Sequence, residues 1–210
     1  MADMSSAPKV DGRRARGADT REQILDAARD VLVAHGYAGT TTRAIAEAAD
    51  VRPSLVHYHF GGKQQLLVAV LERENERLLV RQRALFAAPG PLAAKYLTAC
   101  EYLNDDLRSG YVRILWELWA VGLADEELRE RWRKAISGWR ELLVQVVTEW
   151  MERHGVDLPV SPRALATLVG DAFLGAESEI LAGIGSDVAP HLEGLTAVAG
   201  LIEWAERRPA

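Results

Sequence analysis

Apolar residues recur along the chain at spacings of three and four, and no stretch shows the apolar-polar alternation of a half-buried strand, so an all-α fold is expected. Ile24, Ala28, Val31 and Leu32 form the stripe of a first helix from about Thr20 to His35. Thr20 with Gln23 fits a capping box, and Gly36 suits the left-handed position that ends the helix, with Tyr37 closing over the core beneath. Two shorter patterns follow. Ile45, Ala48 and Ala49 share one face of a helix opened by the threonines at 40 to 42, and Val56 and Phe60 share one face of another beginning at Pro53. Proline suits a first helical position because its ring presets φ and its missing N–H would have been unpaired there. Between the two lies Asp50, one of the few residue types that tolerates a left-handed turn.

A long helix from about Lys63 to Phe86 carries Leu66, Leu67, Val70, Leu71, Leu78 and Leu79 inward, and Pro89-Gly90-Pro91 ends it. Beyond it, Leu92 to Arg108 presents Tyr96, Leu97, Cys100, Leu103 and Leu107 on one side, and Tyr111 to Val121 is apolar on several sides. Asp125 caps the next helix, whose stripe is Leu128, Trp132, Ile136, Trp139, Leu143, Val146 and Trp150. Ser161-Pro162 starts another, with Leu165, Leu168, Val169, Ala172, Ala176 and Ile180 inward and small residues such as Gly170 and Gly175 allowing close approach. A last helix, about Asp187 to Arg207, offers Leu195, Val198, Leu201, Ile202 and Trp204. The pattern predicts a three-helix head followed by a helical bundle, about nine helices in all.

The pair of short helices joined at Asp50 has the form of a helix-turn-helix, in which the second helix lies in a DNA groove. With Val56 and Phe60 turned inward, Pro53, Ser54 and His57 face out, and their hydroxyl and imidazole groups can reach phosphates and base edges. Charge fits a local footprint. The net charge is −5, but residues 1–63 hold 9 Lys and Arg against 8 Asp and Glu, whereas residues 64–210 hold 16 against 22. An acidic remainder would face away from a duplex. Residues 1–18 lack periodicity and read as a disordered basic arm, whose Arg13, Arg14 and Arg16 belong either to a solvated tail or to a segment that reaches a groove. The resulting division is an arm at 1–18, a DNA-binding head at 19–64 and a helical region at 65–210.

From Thr20 the stretch TREQILDAARDVLVAHGYAGTTTRAIAEAADV, continued by RPSLVHYHFGGKQQLL, resembles the tetracycline-repressor (TetR) family of bacterial transcriptional regulators, most specifically in HYHF followed by GGK. Asp50 stands where that family usually has glycine, Arg52 where a capping serine is common, and His57 where a tyrosine often touches DNA. The resemblance implies a homodimeric regulator, a repressor, pairing through its last two helices and binding a palindromic double-stranded operator. By position it assigns base or methyl contacts to Pro53, Ser54, Leu55 and His57, with Tyr58 beside them, and phosphate contacts to Thr42, Arg43, Arg52, His59 and Lys63. It further implies that the body binds a small apolar or aromatic effector, for which Cys100, Leu103, Trp116, Trp119, Trp132, Trp139, Phe173 and Glu177 are the candidate lining.

Other chemistries find little purchase. The GGK at 61–63 lacks the glycine spacing and the following Ser or Thr of a phosphate loop. His57 and His59, two apart on a helix, point about 200° from each other and make a poor metal pair. Cys100 is the single cysteine, which excludes an intrachain disulfide. Glu177, Glu179 and Asp171 admit acid-base work but more simply line a helix edge or bond a ligand. Each tryptophan taken singly reads as core. The alternative to a regulator is a small all-helical enzyme or small-molecule carrier whose head only mimics the motif. No catalytic group, metal, cofactor or membrane span is expected, and the protein should be cytoplasmic.

Overall fold

The computed structural model describes residues 9–207, with side chains from residue 17 onward. Among the described residues the regular structure is helix alone: α1 Lys9–Gly39, α2 Thr42–Ala48, α3 Pro53–Phe60, α4 Lys63–Ala87, α5 Leu92–Ser109, α6 Tyr111–Gly122, α7 Glu126–His154, α8 Pro162–Leu181 and α9 His191–Glu206. The chain forms two compact units, Met1–Val70 and Leu71–Ala210, and α4 contributes to both. No helix of the described residues is long and apolar enough to cross a membrane.

In the first unit, α1 starts earlier than its stripe suggests. Residues 9–18, expected within an unstructured arm, are helical, because a helix nucleated by the stripe extends at little further cost. Residues 1–8, and the side chains of Arg13, Arg14 and Arg16, lie outside the described residues. Thr20 is therefore inside the helix, and the expected capping box is replaced by a tertiary bond: Gln23 Nε2 donates to the Ala49 carbonyl at 2.8 Å. The helical run breaks at Gly36 (φ 66°), and the buried Thr40 hydroxyl donates to the Gly36 carbonyl at 2.7 Å. Ile24, Leu32, Ile45, Val56, Leu66, Leu67 and Val70 are wholly buried in this unit.

In the second unit α7 packs on α6 and α8, and α5 on α9. Capping follows the sequence: the Asp125 carboxylate accepts from Leu128 N at 3.0 Å and the Ser161 hydroxyl from Ala164 N at 3.2 Å. Two caps are tertiary. Glu206 Oε1 accepts from Leu92 N at 2.8 Å, supplying the N-terminal partner that Pro91 lacks, and Lys95 Nζ donates to the Phe86 carbonyl at 2.9 Å, closing the end of α4. Gly170 lets α8 approach α7, since a Cβ there would stand 3.4 Å from both Leu143 and Trp139. The core joins Tyr96, Cys100 and Leu103 of α5, Val112 of α6, Phe173 of α8 and Leu195 of α9.

Some stripe residues face outward instead. Leu168 is 62% exposed, Leu201 68% and Trp204 58%, because α8 and α9 each carry a second apolar face beyond the one buried within the chain. Leu97 is also exposed, and α9 begins at His191 rather than near Asp187.

Candidate nucleic-acid interface and ligand cavity

The exposed row on α3 is set by the turn before it. Thr41 caps α2, its Oγ1 accepting from Ala44 N at 3.0 Å, and nine residues later the chain reverses at Asp50 (φ 50°), where Asp50 N and Val51 N donate to Glu47 O and Ala46 O at 3.1 and 2.9 Å. Ile45, Ala46 and Ala49 hold the inner face of α2, so Ala46 takes the place expected for Ala48, which is exposed. Pro53 opens α3 at its first turn without a side-chain cap from Arg52. Val56 and Phe60 then anchor α3, with the Arg21 guanidinium 5.0 Å from the Phe60 ring centre.

That anchoring leaves Arg52, Pro53, Ser54, His57 and Tyr58 exposed on one element, Tyr58 at 81%, while Leu55 and His59 are half-buried at its edges. Arg43 is exposed and Thr42 half-buried at the start of α2. His57 Nδ1 lies 3.2 Å from the Gly61 carbonyl. A carbonyl only accepts, so Nδ1 carries the proton, and in the neutral ring Nε2 is left as an outward acceptor. Lys63 is differently placed. Its ammonium donates to the Tyr37 carbonyl at 2.7 Å and sits 3.9 Å from the Tyr37 ring centre, and desolvation holds its pKa below the usual lysine value. It ties the loop after α1 to the start of α4 and retains further N–H groups for an anion.

Within the second unit, α4, α5, α7 and α8 line a partly open chamber of about 50 Å³. Of the candidate lining, Leu103, Trp139, Phe173 and Glu177 reach it. Cys100 instead packs in the core, where burial raises its thiol to about 11. Trp116 stands behind the wall, donating from Nε1 to Glu177 Oε2 at 3.3 Å. Trp119 and Trp132 continue away from the chamber, with ring centres 5.3 Å from Trp116 to Trp119 and 6.4 Å on to Trp132. Sequence reasoning missed Leu78, Gln82 and Phe86 of α4 and Tyr96 and Asp106 of α5. The available signal was Gln82, a polar residue exactly four from Leu78 and four from Phe86 on an inward stripe.

Electrostatics inside the chamber is uneven. Tyr96 and Trp139 both meet Phe173 edge-on, at 5.9 and 6.3 Å, giving an aromatic wall. Desolvation pushes Glu177 up to about 7, partly offset by the Trp116 bond. Asp106 is also raised by burial, although Arg81 bonds it at 2.5 Å and stacks on the Tyr102 ring at 4.3 Å.

Comparison with known proteins agrees with this geometry. The family model described as bacterial regulatory proteins, tetR family, matches residues 24–70. The chain is 26% identical over 197 residues to the HTH-type transcriptional repressor AcnR of Corynebacterium efficiens, covering 91% of this chain and 94% of that one. A TetR transcription regulator from Haloarcula marismortui has the same fold, with a TM-score of 0.74, 23% identity and coverage of 90% of this chain and 98% of that chain. So does a transcriptional regulator from Saccharomonospora viridis solved in complex with choline, at a TM-score of 0.74, 18% identity and coverage of 91% and 97%. The helix-turn-helix head thus matches the family model of the tetR bacterial regulatory proteins over residues 24–70, and the whole chain shares its fold with solved regulators.

Proposed function

We propose that the protein is a homodimeric repressor that grips a palindromic operator through α3 and lets go when a small apolar or aromatic effector occupies the body. The observation that carries this reading is the row Arg52, Pro53, Ser54, His57 and Tyr58, held outward by the burial of Val56 and Phe60. Pro53, Ser54, Leu55 and His57 would read base edges or thymine methyls in the major groove, with Tyr58 beside them. Thr42, Arg43, Arg52, His59 and Lys63 would meet phosphates. Pairing of α8 and α9 with their copies would cover Leu168, Leu201 and Trp204 and set two heads on half-sites separated by whole turns of duplex, each ~34–36 Å.

The effector would enter the chamber beside Phe173, Trp139 and Leu103; the Saccharomonospora viridis relative was itself solved in complex with a small molecule, choline. At about 50 Å³ the chamber is far smaller than the ~300–1,000 Å³ of ordinary ligand pockets, so an effector must widen it. Leu78, Gln82 and Phe86 on its wall belong to α4, whose first residues belong to the head unit, and widening would therefore shift α4 and the spacing of the heads. A coupling of ~1–3 kcal/mol would weaken operator binding 5- to 150-fold. A gel-shift with the DNA flanking its own gene tests the reading: two chains per duplex support it, and a monomer that shifts no flanking DNA defeats it.

A further inference from the structure

We infer that the ligand recognised in the chamber is a protonated amine with a slim apolar tail, its ammonium held by Glu177 and Gln82 against the aromatic wall of Tyr96, Trp139 and Phe173. This rests on the reading of the chamber as an effector site and names the chemistry that site selects.

The acceptors come first. Gln82 is 7% exposed and lines the chamber, so its side-chain carbonyl is an acceptor held at the wall. Glu177 has one donor, the Trp116 indole at 3.3 Å, on Oε2, which leaves Oε1 without one. A carboxylate can only accept, and with the Gln82 carbonyl beside it the cavity presents two acceptors to whatever fills it. The complement is a group that brings N–H donors and positive charge. Asp106, the other acid on the wall, is already held by Arg81, so it adds negative potential without competing for the donor.

The rings point the same way. Aromatic faces attract a cation through their quadrupole, most strongly where water is excluded. Tyr96, Phe173 and Trp139 adjoin one another edge-on around a space that suits a head group rather than a whole ligand. The tail has an exit. Phe86 stands on the wall between the chamber and an open groove of about 830 Å³ floored by Leu92, Leu142, Val146 and Trp150. Arg83, Lys95 and Arg153 line that groove together with Glu149 and Glu206, so it carries no excess of acid to draw the ammonium from Glu177, and the orientation is ammonium inward and apolar tail outward.

Calorimetric titration of the full chain at pH 8 with n-hexylammonium, 1-hexanol and hexanoate tests this. The amine should bind about tenfold or more tightly than the alcohol, one charge-assisted bond's worth, and hexanoate most weakly. Glu177→Gln should abolish that advantage, and Gln82→Leu should reduce it. Equal affinity for amine and alcohol, an advantage that survives Glu177→Gln, a preference for hexanoate, or no binding by any probe overturns the inference. Operator release separates it from the underlying reading. If hexanol binds as well as the amine and releases DNA, the chamber is an effector site without this selectivity. If the amine binds through Glu177 and operator affinity stays unchanged, the recognition stands and the effector reading fails.

Discussion

Trp116 on α6 donates its indole N–H to the Glu177 carboxylate on α8 at 3.3 Å, and among the described residues this one long bond is the only hydrogen bond that the acid receives. One neutral donor offsets only part of the desolvation, so the carboxyl group titrates near 7 instead of 4.5.

Stability should therefore depend on pH through Glu177. Between 4.5 and about 7 the folded chain holds a proton that the unfolded chain has released, so this contribution is complete below 4.5 and is lost as pH rises through 7. The shift is equivalent to about 3 kcal/mol. Asp106 and Tyr111, the titratable groups that interact with Glu177, remain in both proteins when Glu177→Gln is compared with the parent. Urea denaturation should show the variant gaining on the parent by about 2–3 kcal/mol between pH 5 and pH 8.

Arg81 holds α4 to α5 by its bond to Asp106 and its stacking on Tyr102. Its removal leaves a desolvated acid uncompensated. Arg81→Ala should lower unfolding free energy by about 2 kcal/mol, below the range for a fully buried pair because the arginine is partly exposed. Arg81→Met combined with Asp106→Asn should lose less. Guanidinium titrations of both variants measure the difference.

On the head, the exposed and the tied cations should behave differently. Arg52→Ala should flatten the slope of log operator affinity against log salt by ~0.9, the signature of one lost phosphate contact. Ser54→Ala should relax the preference between operator sequences with little change in slope. Lys63→Ala should additionally lower the stability of the head by about 1 kcal/mol, through loss of its bond and ring contact to Tyr37. Filter-binding titrations across salt concentrations, with thermal melts, separate these effects.

Most of this architecture was legible because it is written locally. Asp50 at φ 50°, Thr41, Asp125 and Ser161 as caps, and the Val56 and Phe60 anchors follow from backbone sterics and helical period within a few residues. What was not legible involves partners far apart in sequence. Gln23 looks like a cap until Ala49 O arrives, and Glu206 caps a helix 114 residues away. The chamber shows the same division. Periodicity tells that Trp119, Trp132 and Trp139 lie along helices, but only the convergence of α4, α5, α7 and α8 on one cavity tells which of them borders it, and that selects Trp139 with Gln82.

The outward leucines should govern association. Leu168→Glu with Leu201→Glu places charge on the uncovered faces of α8 and α9, where neither side chain supports the fold of the single chain. Sedimentation should show a monomer that keeps its helical circular dichroism and loses most operator affinity. An unchanged dimer would place the interface elsewhere.

The most direct test of the central claim is selection of binding sites from random duplex DNA by the purified chain, repeated with Ser54→Ala and His57→Ala. The account predicts a two-fold symmetric motif with half-site centres ~34–36 Å apart or a multiple of it, altered at the same base positions in both halves by each substitution. A motif lacking two-fold symmetry, or one indifferent to residues 54 and 57, would contradict it.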